Sequence, residues 1–589
     1  MKFRSLHKWD NAQGSKELIL FAQLVDELLF EFTLDTYKPS AMNSSLLVRE
    51  AIQTYLAIES GAIKSPNLKH IIDELCENID KDVIAQSLIR VDLGGVKSTL
   101  KDPKTPNKSK LTCLRLIESQ MPLTLYKSKN EELLMGSICG AKDSSSIRSL
   151  TRSYITTLLN SGYSEKYIQG EAREFFHYSS NRISGNSDIS LFLENFKNEP
   201  EEFQVVYKGP QFLKGFESAA EKLGITITEN KGELSQVIDK CNFGLAQNQI
   251  YLTTKCEAKE YHKAKKYSDS KIDQLQTLIG LYHHKESPKK ISEGLVVSPD
   301  LINGKIVASH FNPMHKCKDL KIGTASRKLN KFMDGFSMER ESFFRFNRSA
   351  DLHALALASD SVENQLINLW TALESLLPSK EDEKISQIEH ISNSIMPFLN
   401  IGYIQKIVIR LSKDLLLWNS GFSKNVFKKV ECSGIPEKTL NFLALDKYER
   451  LRDDLKRRFN DFHLLRERFC YLEKLMSSPL HVVSSLDSHK QRVDWQIRRI
   501  YRARNMIVHD GRTPSYTEIL IENTHDYLDT ILSSLMSLGS KDHILNSIDQ
   551  GFKMAELSYL SYYKRLNEKG LKFDERNIEL FFENDKIVQ

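Results

Sequence analysis

Apolar residues recur at helical intervals over the first hundred positions of the chain. The segments SKELILFAQLVDELLFEF and NSSLLVREAIQTYLAIESGAI place apolar side chains three and four positions apart, which predicts two amphipathic helices. The stretch KDPKTPNKSK, residues 101–110, has two prolines, four lysines and no aliphatic or aromatic residue, and it predicts an exposed loop. These patterns predict a helical N-terminal region over residues 1–110.

The next two hundred residues mix helical periodicity with short runs of β-branched and aromatic residues. Runs at 203–209, 225–228 and 250–256 predict strands. The segment EGLVVSPDLINGKIVASHF predicts a hairpin with Asn303 and Gly304 at its turn. We therefore expect an α/β middle domain over residues 111–320.

From residue 321 the helical pattern returns. SADLHALALASDSVENQLINLWTALESLLP predicts one long helix with a broad apolar face, ended by Pro378. The segment DKYERLRDDLKRRFNDFHLLRERFCYLEKLM predicts a charged helix, and DSHKQRVDWQIRRIYRARNMIV predicts another. The expected fold class is mainly α, with a helical C-terminal domain over residues 321–560 and a tail over 561–589.

Composition narrows the class of protein. The 589 residues are 40% hydrophobic and 27% charged, which is typical of globular chains that bury sizeable cores. The net charge of +5 is too small to indicate nucleic-acid binding by itself. The eight cysteines are scattered without a CxxC pair, which favours a reducing compartment. With no secretion-signal pattern and no long apolar run, we expect a cytoplasmic protein without a membrane partner.

Sequence motifs for cofactors are absent. The chain has no GxGxxG motif and no Walker loop. His310, His315 and Cys317 lie close together, but no second ligand pair accompanies them, so a plain loop is the better interpretation. The expectation is therefore no cofactor and no metal.

The segment RARNMIVHDG carries the best candidate chemistry, because Arg504 and His509 flank apolar residues at the end of a predicted helix. The same spacing of arginine and histidine recurs at Arg348/His353 and Arg458/His463. Spacing alone therefore carries little information. The pattern favours a capping role for RSADLH and a solvated helix face for RFNDFH.

Two interpretations of RNMIVHDG remain open on the residues alone. Residues five apart on an ideal helix point about 140° apart, so Arg504 and His509 converge only if the helix ends at His509. Gly511 is a natural helix terminator and indicates such an end. In the other interpretation, both basic side chains only interact with the helix dipole.

This segment, together with INLWTALESLL on an earlier helix, resembles the HEPN superfamily, and most closely the Apea-like HEPN domains of bacterial anti-phage defence proteins. The family signature is an arginine, a polar residue, a few mostly apolar residues and a histidine, which Arg504, Asn505 and His509 match. Glu374 matches an acidic position that such domains often carry upstream. The resemblance covers roughly residues 325–545 and implies a HEPN-type helical bundle in which helices at 400–475 are an insertion.

The resemblance implies a metal-independent endoribonuclease. His509 would move a proton to or from the reacting oxygens, and Arg504 would stabilise charge on the phosphorane. Asn505 would hold a phosphate oxygen or orient the histidine, and Glu374 and Asp510 would support the site. The expected products of attack by the RNA's own 2′-OH are a 2′,3′-cyclic phosphate and a 5′-OH.

The resemblance also implies partners. HEPN sites combine two copies of the motif, so a homodimer is expected. Arg498, Arg499 and Arg502 would line the cleft and bind RNA backbone, with a solvated helix face as the alternative. The substrate would be RNA, with tRNA as one candidate, and residues 1–320 would sense a phage-derived trigger or recognise the RNA.

These expectations lead to antiviral defence by abortive infection. Two other functions stay open: a non-catalytic HEPN scaffold that binds RNA or a partner protein, and a regulatory component of a toxin–antitoxin pair. Intact Arg504, Asn505 and His509 favour the ribonuclease, because a scaffold has no need of all three.

Overall fold

The computed structural model describes most of the chain. The described ranges are 4–30, 37–61, 66–141, 143–197, 199–283, 291–308, 312–316, 319–335, 338–380, 382–539 and 545–582. The chain forms two compact units, one of Met1–Ser153 with Asn312–Gln589 and the other of Tyr154–Phe311. Helices predominate and strands form one small sheet, so the expectation of a mainly α protein is confirmed.

Thirteen helices lie in the first half of the described chain. They are α1 (Lys16–Leu28), α2 (Ser44–Glu59), α3 (Pro66–Lys81), α4 (Val83–Leu88), α5 (Leu93–Lys101), α6 (Asn107–Gln120), α7 (Leu123–Cys139), α8 (Ser144–Asn160), α9 (Glu165–Arg173), α10 (Ile189–Glu194), α11 (Glu217–Lys222), α12 (Ser235–Lys240) and α13 (Tyr261–Gly280).

The strands and the remaining α-helices follow the same chain order. The strands are β1 (Glu201–Pro210), β2 (Ile225–Thr228), β3 (Gln249–Ala258), β4 (Glu293–Val297) and β5 (Gly304–Ala308). The later helices are α14 (Ile322–Gly335), α15 (Arg340–Ala358), α16 (Val362–Leu376), α17 (Gln387–Ile401), α18 (Tyr403–Trp418), α19 (Ser420–Lys428), α20 (Ile435–Ala444), α21 (Glu449–Arg458), α22 (His463–Leu475), α23 (Pro479–Asn505), α24 (Thr517–Leu538) and α25 (Ile548–Leu566).

The sheet of the second unit is antiparallel throughout, in the order β2-β3-β1-β4-β5. Alternate residues of its strands face opposite sides. Val205 packs with residues of α13 on one face, and Val206 packs with residues of α12 on the other. All strand segments predicted from the sequence are confirmed, but the hairpin is joined by the longer loop 298–303, where the Ser298 amide donates to the Asn303 carbonyl at 2.9 Å.

The predicted domain boundaries differ from the structural units. Residues 107–160 form the helices α6, α7 and α8, so the α/β middle region begins later than 111. Prolines 106 and 122 stand at the N-caps of α6 and α7, where proline tolerates the missing amide. Residues 1–153 share a unit with the C-terminal helices, and α25 with the buried turn Ile578–Phe581 runs into the predicted 561–589 tail.

Two predicted long helices are each broken. The segment from Ser349 to Pro378 divides between α15 and α16, because Ser361 caps α16 by accepting the Asn364 amide at 3.2 Å. The charged segment divides between α21 and α22 at Asn460, whose φ of 42° is left-handed. Local polar side chains that compete with helical hydrogen bonds account for the first break.

Helix α23 is central to the first unit, where it packs against helices α3, α16, α17, α24 and α25. Helices α16 and α23 run antiparallel, since the Trp370 ring lies 5.8 Å from the Tyr501 ring and the Thr513 hydroxyl donates to Glu363 at 2.7 Å. The burial of α23 on several sides gives its C-terminal end a rigid support.

Two short π-helical turns occur in the described part of the chain, Glu174–Tyr178 after α9 and Met506–Asp510 after α23. A π-turn holds one residue more than an α-turn and is frequent at functional sites. None of the helices within the described ranges combines the length and apolar character needed to cross a membrane.

Candidate functional site

The candidate site lies where α23 passes into the turn Met506–Asp510, called the open turn below. Gly511 follows it in a left-handed conformation with φ of 62°, and its amide donates to the Ile507 carbonyl at 3.2 Å. Such a conformation suits glycine because it lacks a Cβ. The prediction that Gly511 terminates the helix is confirmed.

The π-turn changes the consequence of the five-residue spacing. In an α-helix, Arg504 and His509 would point about 140° apart. In a π-turn the hydrogen bond joins residues five apart, so side chains at this spacing lie closer to one side of the helix. The expectation from the sequence was that the two side chains converge only if the helix ends at His509; the structure widens the last turn instead, over Met506–Asp510.

The open turn is anchored on one side and exposed on the other. Asn505 and Ile507 are buried, whereas Val508, His509 and Asp510 are exposed. The apolar anchor predicted from the sequence is therefore shorter than expected, because Val508 is 45% exposed. Three consecutive exposed side chains on a supported turn leave room for a ligand to approach.

Arg504 is half-buried and only partly engaged. Its Nη1 donates to the Oδ1 of Asn505 at 3.0 Å, and its Nε is buried without a hydrogen-bond partner among the described residues. A guanidinium has five N–H donors in a fixed plane. Asn505 therefore orients Arg504 rather than His509, and donors remain that could bind an anion.

His509 and Asp510 make no side-chain hydrogen bond or ion pair with any residue that the structure describes. The imidazole is thus free to contact a substrate. Asp510 does not pair with it, so the predicted supporting role of this carboxylate has no contact behind it. Arg512, exposed one residue beyond Gly511, adds a cation to this surface that the sequence interpretation missed.

Glu374 lies away from the open turn. Because α16 and α23 are antiparallel, residues after Trp370 run away from the end of α23, and Glu374 lies about 6 Å further along that axis. The acidic residue of α16 near the turn is Glu363, which accepts the Thr513 hydroxyl at 2.7 Å. The structure thus replaces Glu374 with Glu363 as the nearby carboxylate.

Arg499 and Arg502 are inside the protein and do not line a cleft. Arg499 donates to Glu74 at 2.6 Å and to Glu50 at 3.1 Å, and Arg502 donates to Glu50 at 2.7 Å. All four side chains are buried. The predicted RNA contacts of these two arginines are corrected to a buried ionic cluster that joins α23 to α2 and α3.

Arg498 is also buried, with its Nε donating to Asp494 at 2.8 Å and its Nη1 lying 2.9 Å from Nε2 of His70. Neither of the two predicted roles, RNA contact or solvated face, fits this position. Apart from Asp494 and Gln496, which lie on α23 itself, the partners of these arginines lie more than four hundred residues away in the sequence, so spacing within α23 could not reveal them.

The carboxylates of the ionic cluster respond oppositely to their surroundings. Burial alone would raise the pKa of Glu50, but Arg499 and Arg502 hold it below the usual value. Burial raises the pKa of Glu74, whose carboxylate accepts from Arg499 at 2.6 Å. One signal in the sequence could have revealed this cluster: acidic residues lie within the otherwise apolar faces of helices, and buried charges need partners.

The other two matches to the arginine–histidine spacing have different surroundings. Arg458 and His463 lie on separate helices, and the Arg458 guanidinium lies 4.5 Å from the centre of the Phe422 ring. His353 faces His525 and Asp529, which together are spaced to hold a metal ion. Of the earlier metal candidates, His310 and Cys317 lie outside the described residues.

Comparison with known proteins adds no relative: no protein-family model, no curated protein and no solved structure matches the chain.

Proposed function

We propose that the chain is a metal-independent endoribonuclease of HEPN type, acting in the cytoplasm in antiviral defence. The observation that carries the proposal is an exposed His509 on a supported helix end, five residues after Arg504, whose guanidinium keeps unused donors. An imidazole can transfer the protons and a guanidinium can stabilise the negative charge that cleavage of RNA by its own 2′-OH requires.

The reaction assigns one role to each group. The 2′-oxygen attacks the adjacent phosphorus, and an imidazole takes the 2′-OH proton. The bond to the 5′-oxygen breaks, and an imidazolium gives that oxygen a proton. The products are a 2′,3′-cyclic phosphate and a 5′-OH. Arg504, held by Asn505, stabilises the charge on the phosphorane oxygens, and Arg512 binds a neighbouring phosphate.

A homodimer supplies the second imidazole. The open turn carries a single histidine, whereas the reaction needs both a proton acceptor and a proton donor. In a two-fold dimer the same patch of both subunits meets at the axis, so two exposed His509 side chains would border one cleft. One copy would act as base and the other as acid.

The test of the reaction uses total RNA, including tRNA, and purified chain in EDTA, followed by analysis of the new ends. We expect cyclic-phosphate and 5′-OH ends, no cutting of DNA, and no cutting of RNA with a 2′-O-methyl at the scissile position. Loss of cutting in EDTA at a temperature where the chain stays folded would contradict the mechanism.

The test of the dimer mixes wild-type chain with an excess of His509→Ala chain. Wild-type subunits then sit mostly in mixed dimers, and we expect activity to fall below the value set by dilution alone. A fully active monomer in light scattering would contradict the shared site. In cells, induced wild-type chain should arrest growth upon phage infection, whereas His509→Ala should not.

The burial of Arg498, Arg499 and Arg502 favours a second candidate, a non-catalytic scaffold that binds a protein partner. Because these three arginines are buried, the surface near the turn has fewer cations for RNA contact than the sequence led us to expect. RNA binding or partner binding without any cutting would support the scaffold. Inhibition of a separately encoded toxin would support the regulatory component of a toxin–antitoxin pair.

A further inference from the structure

Three metal-ligating side chains meet between α15 and α24. His353 lies on α15, and His525 and Asp529 lie four residues apart on α24, where this spacing places them on one helix face. The Nε2 atoms of His353 and His525 each lie 3.3 Å from a carboxylate oxygen of Asp529. The three potential ligand atoms all lie within 4.8 Å of one another.

We propose that His353, His525 and Asp529 bind one divalent transition-metal ion of the zinc class, which cross-links α15 to α24. Two imidazole nitrogens and a carboxylate oxygen are a common ligand set for Zn²⁺. Ligand atoms about 2.0–2.1 Å from zinc at tetrahedral angles are about 3.3 Å apart. Each imidazole lies at this distance from one oxygen of Asp529, His353 from Oδ1 and His525 from Oδ2. The site does not depend on the proposed ribonuclease function.

The state of His353 supports a cation between these groups. Its Nε2 is buried but makes no hydrogen bond among the described residues, although a carboxylate oxygen is 3.3 Å away. In the tautomer that binds a metal, Nε2 carries a lone pair, and a cation placed between it and the carboxylate would be bound by both groups. The two imidazole rings lie with centroids 4.9 Å apart, as expected of ligands that converge on one point.

The three ligands differ in their exposure to solvent, and the difference suits a metal site. His525 is buried, so its imidazole is held in place beside Asp529. The Asp529 side chain is 43% exposed, which gives the ion a path from solvent. Three protein ligands leave a coordination position for water.

The experiment uses full-length chain without a histidine tag, treated with EDTA and desalted, and titrated with Co²⁺ and then Zn²⁺. We expect one Co²⁺ per chain, visible bands typical of low coordination number, displacement by Zn²⁺, and a rise in melting temperature with metal. The His353→Ala/His525→Ala double variant should lose this binding, and Asp529→Asn should weaken it at least tenfold.

Two variants keep the result interpretable. Asp529→Asn changes a part-exposed side chain with little change of shape, so it should fold even if the double variant does not. His463→Ala removes a histidine outside the cluster and keeps all cysteines, so it should bind Co²⁺ like the wild type. Equal stoichiometry and affinity in wild type and Asp529→Asn, or no Co²⁺ binding by the wild type, would overturn the proposal.

Discussion

Within the described ranges, the turns Glu174–Tyr178 and Met506–Asp510 share a π-helical backbone, an arginine just before them and a histidine within them. Their surroundings differ. In the first, called the sealed turn, the central Phe176 is fully buried and its ring lies 5.0 Å from the Phe192 ring, while Glu174 and Tyr178 at the ends are exposed. In the open turn, Val508, His509 and Asp510 face solvent.

The two turns are also held in place differently. The sealed turn is fixed at its own residues by aromatic packing, with Phe175 and Phe176 both beside Phe192. The open turn is held by the helix that precedes it, because the buried ion pairs of Arg499 with Glu50 and Glu74 anchor α23 before the turn begins. The comparison teaches that a π-turn can be held either by packing of its own residues or by buried ion pairs of the helix before it.

The largest expected effect is on the rate of RNA cleavage, which should depend on the open turn and not on the sealed turn. His509→Ala and Arg504→Ala should each lower RNA cutting by about 10²- to 10⁴-fold, because each removes a group that the proposed mechanism places at the reacting atoms. His177→Ala in the sealed turn should leave cutting unchanged. The measurement is the initial rate of RNA cleavage, with circular dichroism to confirm folding. Equal loss in His177→Ala and His509→Ala would remove the distinction.

The second prediction concerns the support of the open turn. Arg499→Ala leaves Glu50 and Glu74 with less compensation, and we expect a loss of about 3–5 kcal/mol in the free energy of unfolding. The control is Arg512→Ala, an exposed site where about 0.5 kcal/mol or less is expected.

Tryptophan fluorescence in urea can follow this loss in the first unit, because the four tryptophans of the sequence all lie there: Trp9, Trp370, Trp418 and Trp495. A loss below about 1 kcal/mol for Arg499→Ala would indicate that the buried ions do not anchor α23.

The third prediction compares the loss of a buried side chain in the sealed turn with the loss of an exposed side chain in the open turn. Phe176→Ala leaves a cavity in the aromatic cluster and should cost about 3–5 kcal/mol, whereas Val508→Ala should cost about 0.5 kcal/mol or less. The second unit has no tryptophan, so hydrogen exchange of peptides from 154–311 is the measurement for Phe176→Ala. Similar costs at the two positions would mean that Val508 is covered, for example by a second subunit.

The smallest expected effect tests how each turn ends. Gly511→Ala should cost about 1–2 kcal/mol from left-handed strain alone, because nothing lies within 4 Å of an added Cβ. Ser179, which ends the sealed turn, is extended, with φ of −60° and ψ of 159°, so Ser179→Ala should be nearly neutral. The comparison is made by urea unfolding, and a neutral Gly511→Ala would show that the turn relaxes without its present end.

The residues that could be predicted from the sequence are those whose signals are local. The strands Ile225–Thr228 and Gln249–Ala258 follow from β-branched runs, and the end at Gly511 follows from the glycine itself. Arg504 and His509 were selected because an apolar segment and a turn surround them. The second arginine–histidine π-turn, at Arg173 and His177, was missed because no periodicity distinguishes a π-turn from the α-helix before it.

The sequence by itself determined the helical class, the strands and the helix end at Gly511, because hydrophobic periodicity and backbone preference act between neighbouring residues. Only the tertiary structure decided which charged residues are available. Arg499 and Arg512 lie only thirteen positions apart in the sequence, yet one is buried against Glu50 and Glu74 and the other is exposed. The reason is that burial and ion pairing depend on helices hundreds of residues apart, and the meeting of His353 with His525 and Asp529 depends on the same long-range packing.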